Sequence, residues 1–169
     1  MATLDNLDPI LNSMAAHIKR YHHDKNPEQL MMVGIHTGGV WVAERLHQIL
    51  ELSQPLGKLN IGFYRDDFSR LAEQPTVKPS DLSVAVEDKH IILVDDVIYT
   101  GRTIKAALNE LFDYGRPASV ALVVLVKRGG RELPIQPNVV GCAFELDMTQ
   151  QVKLNGPEPL TLEICPRNE

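Results

Sequence analysis

Apolar residues recur along the chain in two periods that alternate. Leu4, Leu7, Leu11, Met14, Ile18 and Tyr21 have helical spacing and predict a helix over residues 4–21, ended by Asn26-Pro27. Residues 30–35 are a short unbroken apolar run, the pattern of a strand buried on both faces. A turn, His36-Thr37-Gly38-Gly39, leads into a predicted helix to about Leu52 with Val40, Ala43, Leu46 and Leu50 on one face. Residues 59–64 read as a strand. Residues 65–86 are polar, contain Pro75 and Pro79, and keep no period; so long a connection is uncommon in a compact domain and is usually functional. Residues 90–94 form a second buried strand. Residues 101–114 predict a helix with Ile104, Ala107, Leu108, Leu111 and Phe112 inward, stopped by Gly115 and Pro117. Residues 118–126 are a third buried strand. Residues 127–138 are loop-like, and residues 139–164 hold two or three short strands.

Apolar strands alternating with helices predict an α/β fold: a mainly parallel, twisted sheet flanked by helices. Ligands of such sheets bind beyond the carboxyl ends of the strands. Residues 36–39, 65–86 and 95–103 converge there, with 127–138 after the last long strand.

Composition narrows the class. The 169 residues fit one domain with a single core, and 44% apolar with 23% charged residues argues against disorder. No apolar run reaches the ~18 residues of a membrane span. The N-terminus carries acids where a secretory signal carries lysines, so a cytoplasmic protein without a membrane partner is expected. Cys142 and Cys165 match no metal spacing and read as ordinary thiols. The net charge of −5 advertises no general nucleic-acid binder, although a local basic face is compatible with it. His17, His22, His23, His47 and His90 read as structural or surface residues, and Trp41 as packing or a subunit contact.

The candidate chemistry lies in residues 91–103, IILVDDVIYTGRT. A strand delivers Asp95 and Asp96; a small hydroxyl-and-glycine turn, Tyr99-Thr100-Gly101-Arg102-Thr103, then opens a helix. Unpaired N–H groups at a helix start hold phosphate, and Thr100 and Thr103 add hydroxyl donors. Asp95 and Asp96 repel phosphate but suit ribose hydroxyls, or Mg2+ carried by a pyrophosphate. A monophosphate, a ribose and a metal diphosphate in series describe phosphoribosyl pyrophosphate. A phospho-receiver domain also pairs acids after an apolar strand, but near its start, and it needs a later acceptor Asp. No aspartate lies between Asp113 and Asp147, so that fit fails.

The motif resembles the signature of the type I phosphoribosyltransferases. The likeness extends through GIHTGGVWVAERL, FYRDDFSRL, ILVDDVIYTGRTIKAALNEL, RPASVALVVLV and RGGRELPI, over about residues 5–164. In that order these segments are similar to the bacterial family of bifunctional pyrimidine-operon regulators and uracil phosphoribosyltransferases.

The resemblance implies the type I phosphoribosyltransferase fold with a small hood from the C-terminal region. It implies one domain over 1–169, a mobile lid at about 68–85 and a base-binding hood at about 127–138. It implies transfer of a phosphoribosyl group to uracil, giving UMP and pyrophosphate. Asp95, Asp96 and Arg65 are the implied catalytic residues, with Lys78 a weaker pyrophosphate contact. Val97, Ile98, Tyr99, Thr100, Gly101, Arg102 and Thr103 would bind the 5′-phosphate side. His36, Thr37, Gly38 and Gly39 would hold pyrophosphate, in a loop that carries a non-proline cis peptide in related enzymes. Lys127, Arg128 and Gly129 would belong to the base hood; taken without the resemblance, the same loop is polar with Arg128 and Arg131 solvated. Mg2+ would come with pyrophosphate, with Asp95 or Asp96 as a further ligand, and no protein-only metal site is expected. UMP- or UTP-dependent binding to pyrimidine-operon leader mRNA is implied, with transcription attenuation as its consequence. Lys19, Arg20, Lys25, Arg116 and Lys153 are candidate RNA contacts, on a homodimer or higher homo-oligomer.

The family carries a lysine and an arginine where this chain has His36 and Gly38, and an aspartate at Lys127. The first departure removes cations that would face a diphosphate and implies weaker catalysis. Two alternatives therefore stand beside the transferase: a nucleotide-sensing regulator with little catalysis, and a transferase for another base.

Overall fold

A computed structural model describes residues 2–62 and 80–168. The strands are β1 (Ala2–Leu4), β2 (Leu30–Ile35), β3 (Gly57–Leu59), β4 (His90–Ile98), β5 (Ser119–Arg128), β6 (Val139–Phe144), β7 (Gln150–Asn155) and β8 (Thr161–Pro166). The helices are α1 (Asp8–Tyr21), α2 (Gly38–Leu50) and α3 (Arg102–Asp113). Five strands in the order β3-β2-β4-β5-β6 make an all-parallel sheet, and β1-β8-β7 make a separate antiparallel one.

The unbroken apolar runs follow from burial on both faces. Successive side chains of a strand point to opposite faces. Met32, Ile92, Val94 and Val123 therefore meet α1 and α2 through Leu11, Met14, Ala43 and Leu46. Met31, Val33, Ile91 and Leu93 meet α3 through Ile104, Ala107 and Leu111 on the other face. The small sheet joins the first cluster through Leu154 and Leu162.

β2 spans the residues its sequence predicts; other boundaries differ. The first helix begins at Asp8, not at residue 4. Asn6 Oδ1 accepts from the Asp8 N–H at 3.1 Å and Pro9 favours the first turn, while Leu4 pairs with Leu162 as part of β1. β3 covers Gly57–Leu59 rather than 59–64. Asn60 turns the chain by accepting from the Gly62 N–H at 3.0 Å, and residues 63 and 64 lie outside the described residues. β4 and β5 each run further than expected, because their pairing continues to Ile98 opposite Lys127. Phe112 is 53% exposed rather than inward: Ile104, Ala107 and Leu111 face the sheet, and the row through Leu108 drifts to its edge. Three short strands fill the C-terminal segment. Among the described residues no helix is long and apolar enough to cross a membrane.

Candidate active site

The site is assembled where β2, β4 and β5 end. β4 carries Asp95 and Asp96 in its own span, because β5 still pairs with it there. Asp95 is 1% exposed and Asp96 is half-buried. Asp95 Oδ1 accepts from the Asp96 N–H at 2.9 Å, and Asp96 Oδ1 accepts from the Val97 N–H at 2.8 Å. Each carboxylate is thereby aimed by the main chain beside it, and Asp96 stays partly exposed.

The turn after β2 packs directly on this pair. The His36–Thr37 peptide is cis, and the His36 N–H donates to the Leu59 carbonyl at 2.9 Å. Gly38 and Gly39 begin α2. A Cβ on Gly38 would overlap the Asp96 carboxylate, and one on Gly39 would stand 2.7 Å from the Val94 carbonyl. Only glycine permits that approach. Two segments some sixty residues apart thus share one face.

The second half of the site is the turn into α3. Gly101 has φ of 97°, which glycine tolerates best, and it starts the helix. The Thr100 hydroxyl accepts from the Arg102 N–H at 3.2 Å. The turn is held from behind: the Glu132 and Leu133 N–H groups donate to the Thr100 carbonyl at 2.9 and 3.2 Å. Arg131 Nη1 donates to the Tyr99 carbonyl. Unpaired N–H groups at the start of a helix are donors of the kind an anion binds. A cleft of about 420 Å³ lies there, walled by Val97, Tyr99, Thr100, Gly101 and Thr103, and closed by Glu132, Met148 and Arg167. The sequence reading did not single out Glu132, Met148 or Arg167. No local pattern marks them, because distant parts of the chain bring them to the cleft.

The remaining candidates divide. Ile98 is core, with 1% exposure. Arg102 is exposed and paired to Glu132 at 3.2 Å. Lys127 is half-buried at the end of β5, opposite Ile98 and Ala143, and Gly129 is exposed. Arg128, read as solvated from the loop alone, is 4% exposed, because the β6–β7 turn covers it. Arg131 is half-buried. Arg65, Lys78 and most of the 68–85 segment lie outside the described residues. No group of three or more His, Cys, Asp or Glu among the described residues can hold a metal ion.

The phosphoribosyl transferase domain family matches residues 3–159. The chain belongs to that family. This phosphoribosyltransferase is 55% identical over 161 residues to the bifunctional protein PyrR of Nitrosococcus oceani, covering 94% of this chain and 91% of that protein. It is 51% identical to the bifunctional protein PyrR of Pseudomonas paraeruginosa, with 95% of each covered. Its fold resembles the purine phosphoribosyltransferase of Pyrococcus horikoshii, with TM-score 0.61 and 21% identity over 82% of this chain and 84% of that one. It also resembles Trypanosoma cruzi hypoxanthine phosphoribosyl transferase, with TM-score 0.65 and 19% identity over 85% of this chain and 76% of that one. The type I fold expected from the sequence is the fold observed.

Proposed function

We propose that this phosphoribosyltransferase transfers the phosphoribosyl group to uracil and, with UMP or UTP bound, regulates pyrimidine genes by binding their leader mRNA. The observation that carries the catalytic half is the seating of Gly38 and Gly39 on the Asp95–Asp96 pair, beside the Thr100–Thr103 turn. The three stretches then offer places for pyrophosphate, ribose and 5′-phosphate, with the 5′-phosphate in the cleft beside the turn. The relatives named bifunctional protein PyrR support the regulatory half.

Transfer from phosphoribosyl pyrophosphate passes through an oxocarbenium-like state, so positioning and charge stabilisation dominate. Asp95 and Asp96 hold the ribose hydroxyls and face the developing positive charge. N–H groups and hydroxyls of residues 100–103 hold the 5′-phosphate. Thr37, Gly38 and Gly39, with Arg65, hold the departing pyrophosphate. Mg2+ carried by the pyrophosphate would be held by the half-exposed Asp96, or by Asp95. Mg2+ supplies neutralisation of the leaving group. The base lies against Val97 and Tyr99, with residues 127–129 and the β6–β7 turn beside it. The protein works as a homodimer or higher homo-oligomer.

The test is product analysis with phosphoribosyl pyrophosphate, Mg2+ and a panel of uracil, cytosine, hypoxanthine, guanine and orotate. UMP from uracil alone is expected; a nucleotide from another base, and none from uracil, overturns the assignment. A specific feature favours a second reading, a nucleotide sensor with little turnover: Gly38 offers no cation beside Asp96. UMP binding without UMP formation would select it.

A further inference from the structure

The phosphate turn and the small sheet meet at the Tyr99 ring, which Arg128 approaches most closely and Arg167 from 5.9 Å. Arg128 closes β5 and is buried. Its Nη1 donates to the Gln150 carbonyl at 2.8 Å and its Nη2 to the Asp147 carbonyl at 3.0 Å. The guanidinium lies over the Tyr99 ring, with Cζ 4.1 Å from the centroid. Nε is buried without a hydrogen-bond partner among the described residues.

A buried charge is costly unless dipoles replace its water. Here two carbonyls and the face of a tyrosine do so. Their common partner fixes three segments against one another: the end of β5, the 147–150 turn and the first residue of the phosphate turn. The 147–150 turn is itself pre-formed. Asp147 Oδ1 accepts from the Thr149 hydroxyl at 2.5 Å and from the Thr149 N–H at 2.8 Å. Tyr99 has three arginine contacts: Arg128 and, at 5.9 Å, Arg167 over its ring, and Arg131 on its carbonyl. Thr100, its neighbour, begins the phosphate contacts.

We propose that Arg128 is a positioning residue that sets the separation between the phosphate turn and the β6–β7 wall of the cleft. A ligand with a phosphate at one end and a base at the other is then held at both ends at once. This rests on the nucleotide reading above. Arg128 acts through the Tyr99 ring and the two carbonyls it binds. A lysine does not replace it, because a compact ammonium cannot donate to both carbonyls while stacking on the ring.

The test is calorimetric titration of UMP and, separately, ribose 5-phosphate into wild type, Arg128→Lys, Arg128→Met, Tyr99→Leu and the Arg128→Met/Tyr99→Leu double variant. UMP affinity is expected to fall about tenfold in each single variant, equivalent to ~1.4 kcal/mol. Ribose 5-phosphate, which engages one end only, is expected to lose about twofold or less, well under ~1 kcal/mol. The double variant is expected to bind UMP as the weaker single does, since both substitutions break one linkage. Unchanged UMP affinity, equal losses for both ligands or additive losses would overturn the proposal. Loss of folding in both Arg128 variants, seen by thermal melting, would overturn it too by making the residue a fold determinant. A wild type that binds neither ligand overturns the nucleotide reading, and this proposal with it.

Discussion

Gly38 lies so close to Asp96 that a Cβ at position 38 would overlap the carboxylate. The contact joins the start of α2 to the end of β4, and it makes the orientation of Asp96 depend on the absence of a side chain at residue 38. Overpacking generally costs 1–3 kcal/mol. Asp96 is half-buried and can rotate away, so the cost of Gly38→Ala should appear in ligand affinity rather than folding. The expected outcome is a melting temperature near that of wild type and roughly tenfold weaker binding of phosphoribosyl pyrophosphate with Mg2+, or ~1.4 kcal/mol. Calorimetry beside thermal melting checks it; a large stability loss with unchanged affinity would contradict it.

Asp95→Asn and Asp96→Asn should each weaken phosphoribosyl pyrophosphate binding or turnover. Loss of a charged hydrogen bond costs about 1.5–3 kcal/mol. The two variants should differ in stability. Asp95 is buried and bonded to the Asp96 N–H, whereas Asp96 is half-exposed. Asn at 95 must therefore lower the melting temperature more. Unchanged affinity and unchanged rate in both would remove these carboxylates from the site.

The sequence exposed what was local. β2 was legible because burial on both faces writes a continuous apolar run. The order strand, acids, turn and helix over residues 91–103 was legible because these parts are contiguous. The first helix was overextended because Leu4 keeps its period, although it belongs to an edge pairing with Leu162. Phe112 keeps the helical period and is exposed all the same, because periodicity gives a stripe without its edges. Arg128 looked solvated because RGGR is polar and flexible, while its cover comes from Asp147 and Gln150 on a later turn. The Gly38–Asp96 contact left no trace for the same reason: the fold alone brings the two residues together.

His22 gives a pH prediction away from the site. It is 5% exposed at the end of α1, and its Nδ1 lies 2.9 Å from the Ile18 carbonyl. Burial lowers its pKa below the ordinary 6.5, against the opposing effect of that carbonyl. The unfolded chain therefore binds this proton more readily than the folded one. The stability contributed by neutral His22 is present above pH 6.5 and is lost as pH falls from 6.5 toward the lower folded value. Thermal melting of wild type and His22→Gln between pH 8 and pH 5 checks this, with the wild type expected to lose more on acidification. Parallel curves would show that His22 does not titrate differently on folding.

RNA contact needs cations gathered on one surface, and the candidates separate into two places. Lys19 and Arg20 are exposed on the last turn of α1, whose chain continues to the start of β2. Arg116 is exposed just before β5 starts, and its N–H donates to the Glu87 carboxylate at 2.7 Å. The Tyr21 hydroxyl accepts from Asn138 Nδ2 at 3.2 Å, tying the end of α1 to the start of β6. These three cations therefore border the end of the sheet where strands begin, away from the nucleotide cleft. Lys25 is part-neutralised by Asp24 at 3.7 Å. Lys153 stands apart on β7, opposite Glu163 in the register. If the leader transcript is held by the first group, the Lys19→Ala/Arg20→Ala variant should lose affinity on every RNA tested. Its salt dependence should also flatten by about 0.7 logarithmic units per lost phosphate contact in single-stranded RNA. Arg116→Ala should add a further loss, and Lys153→Ala should change neither affinity nor slope. Gel-shift titration with the pyrimidine-operon leader at two salt concentrations, with and without UMP, reads all of these. UMP should strengthen wild-type binding and leave the slope difference intact. Wild-type binding no tighter than to an unrelated hairpin, and indifferent to UMP, would leave the transferase as the protein's role.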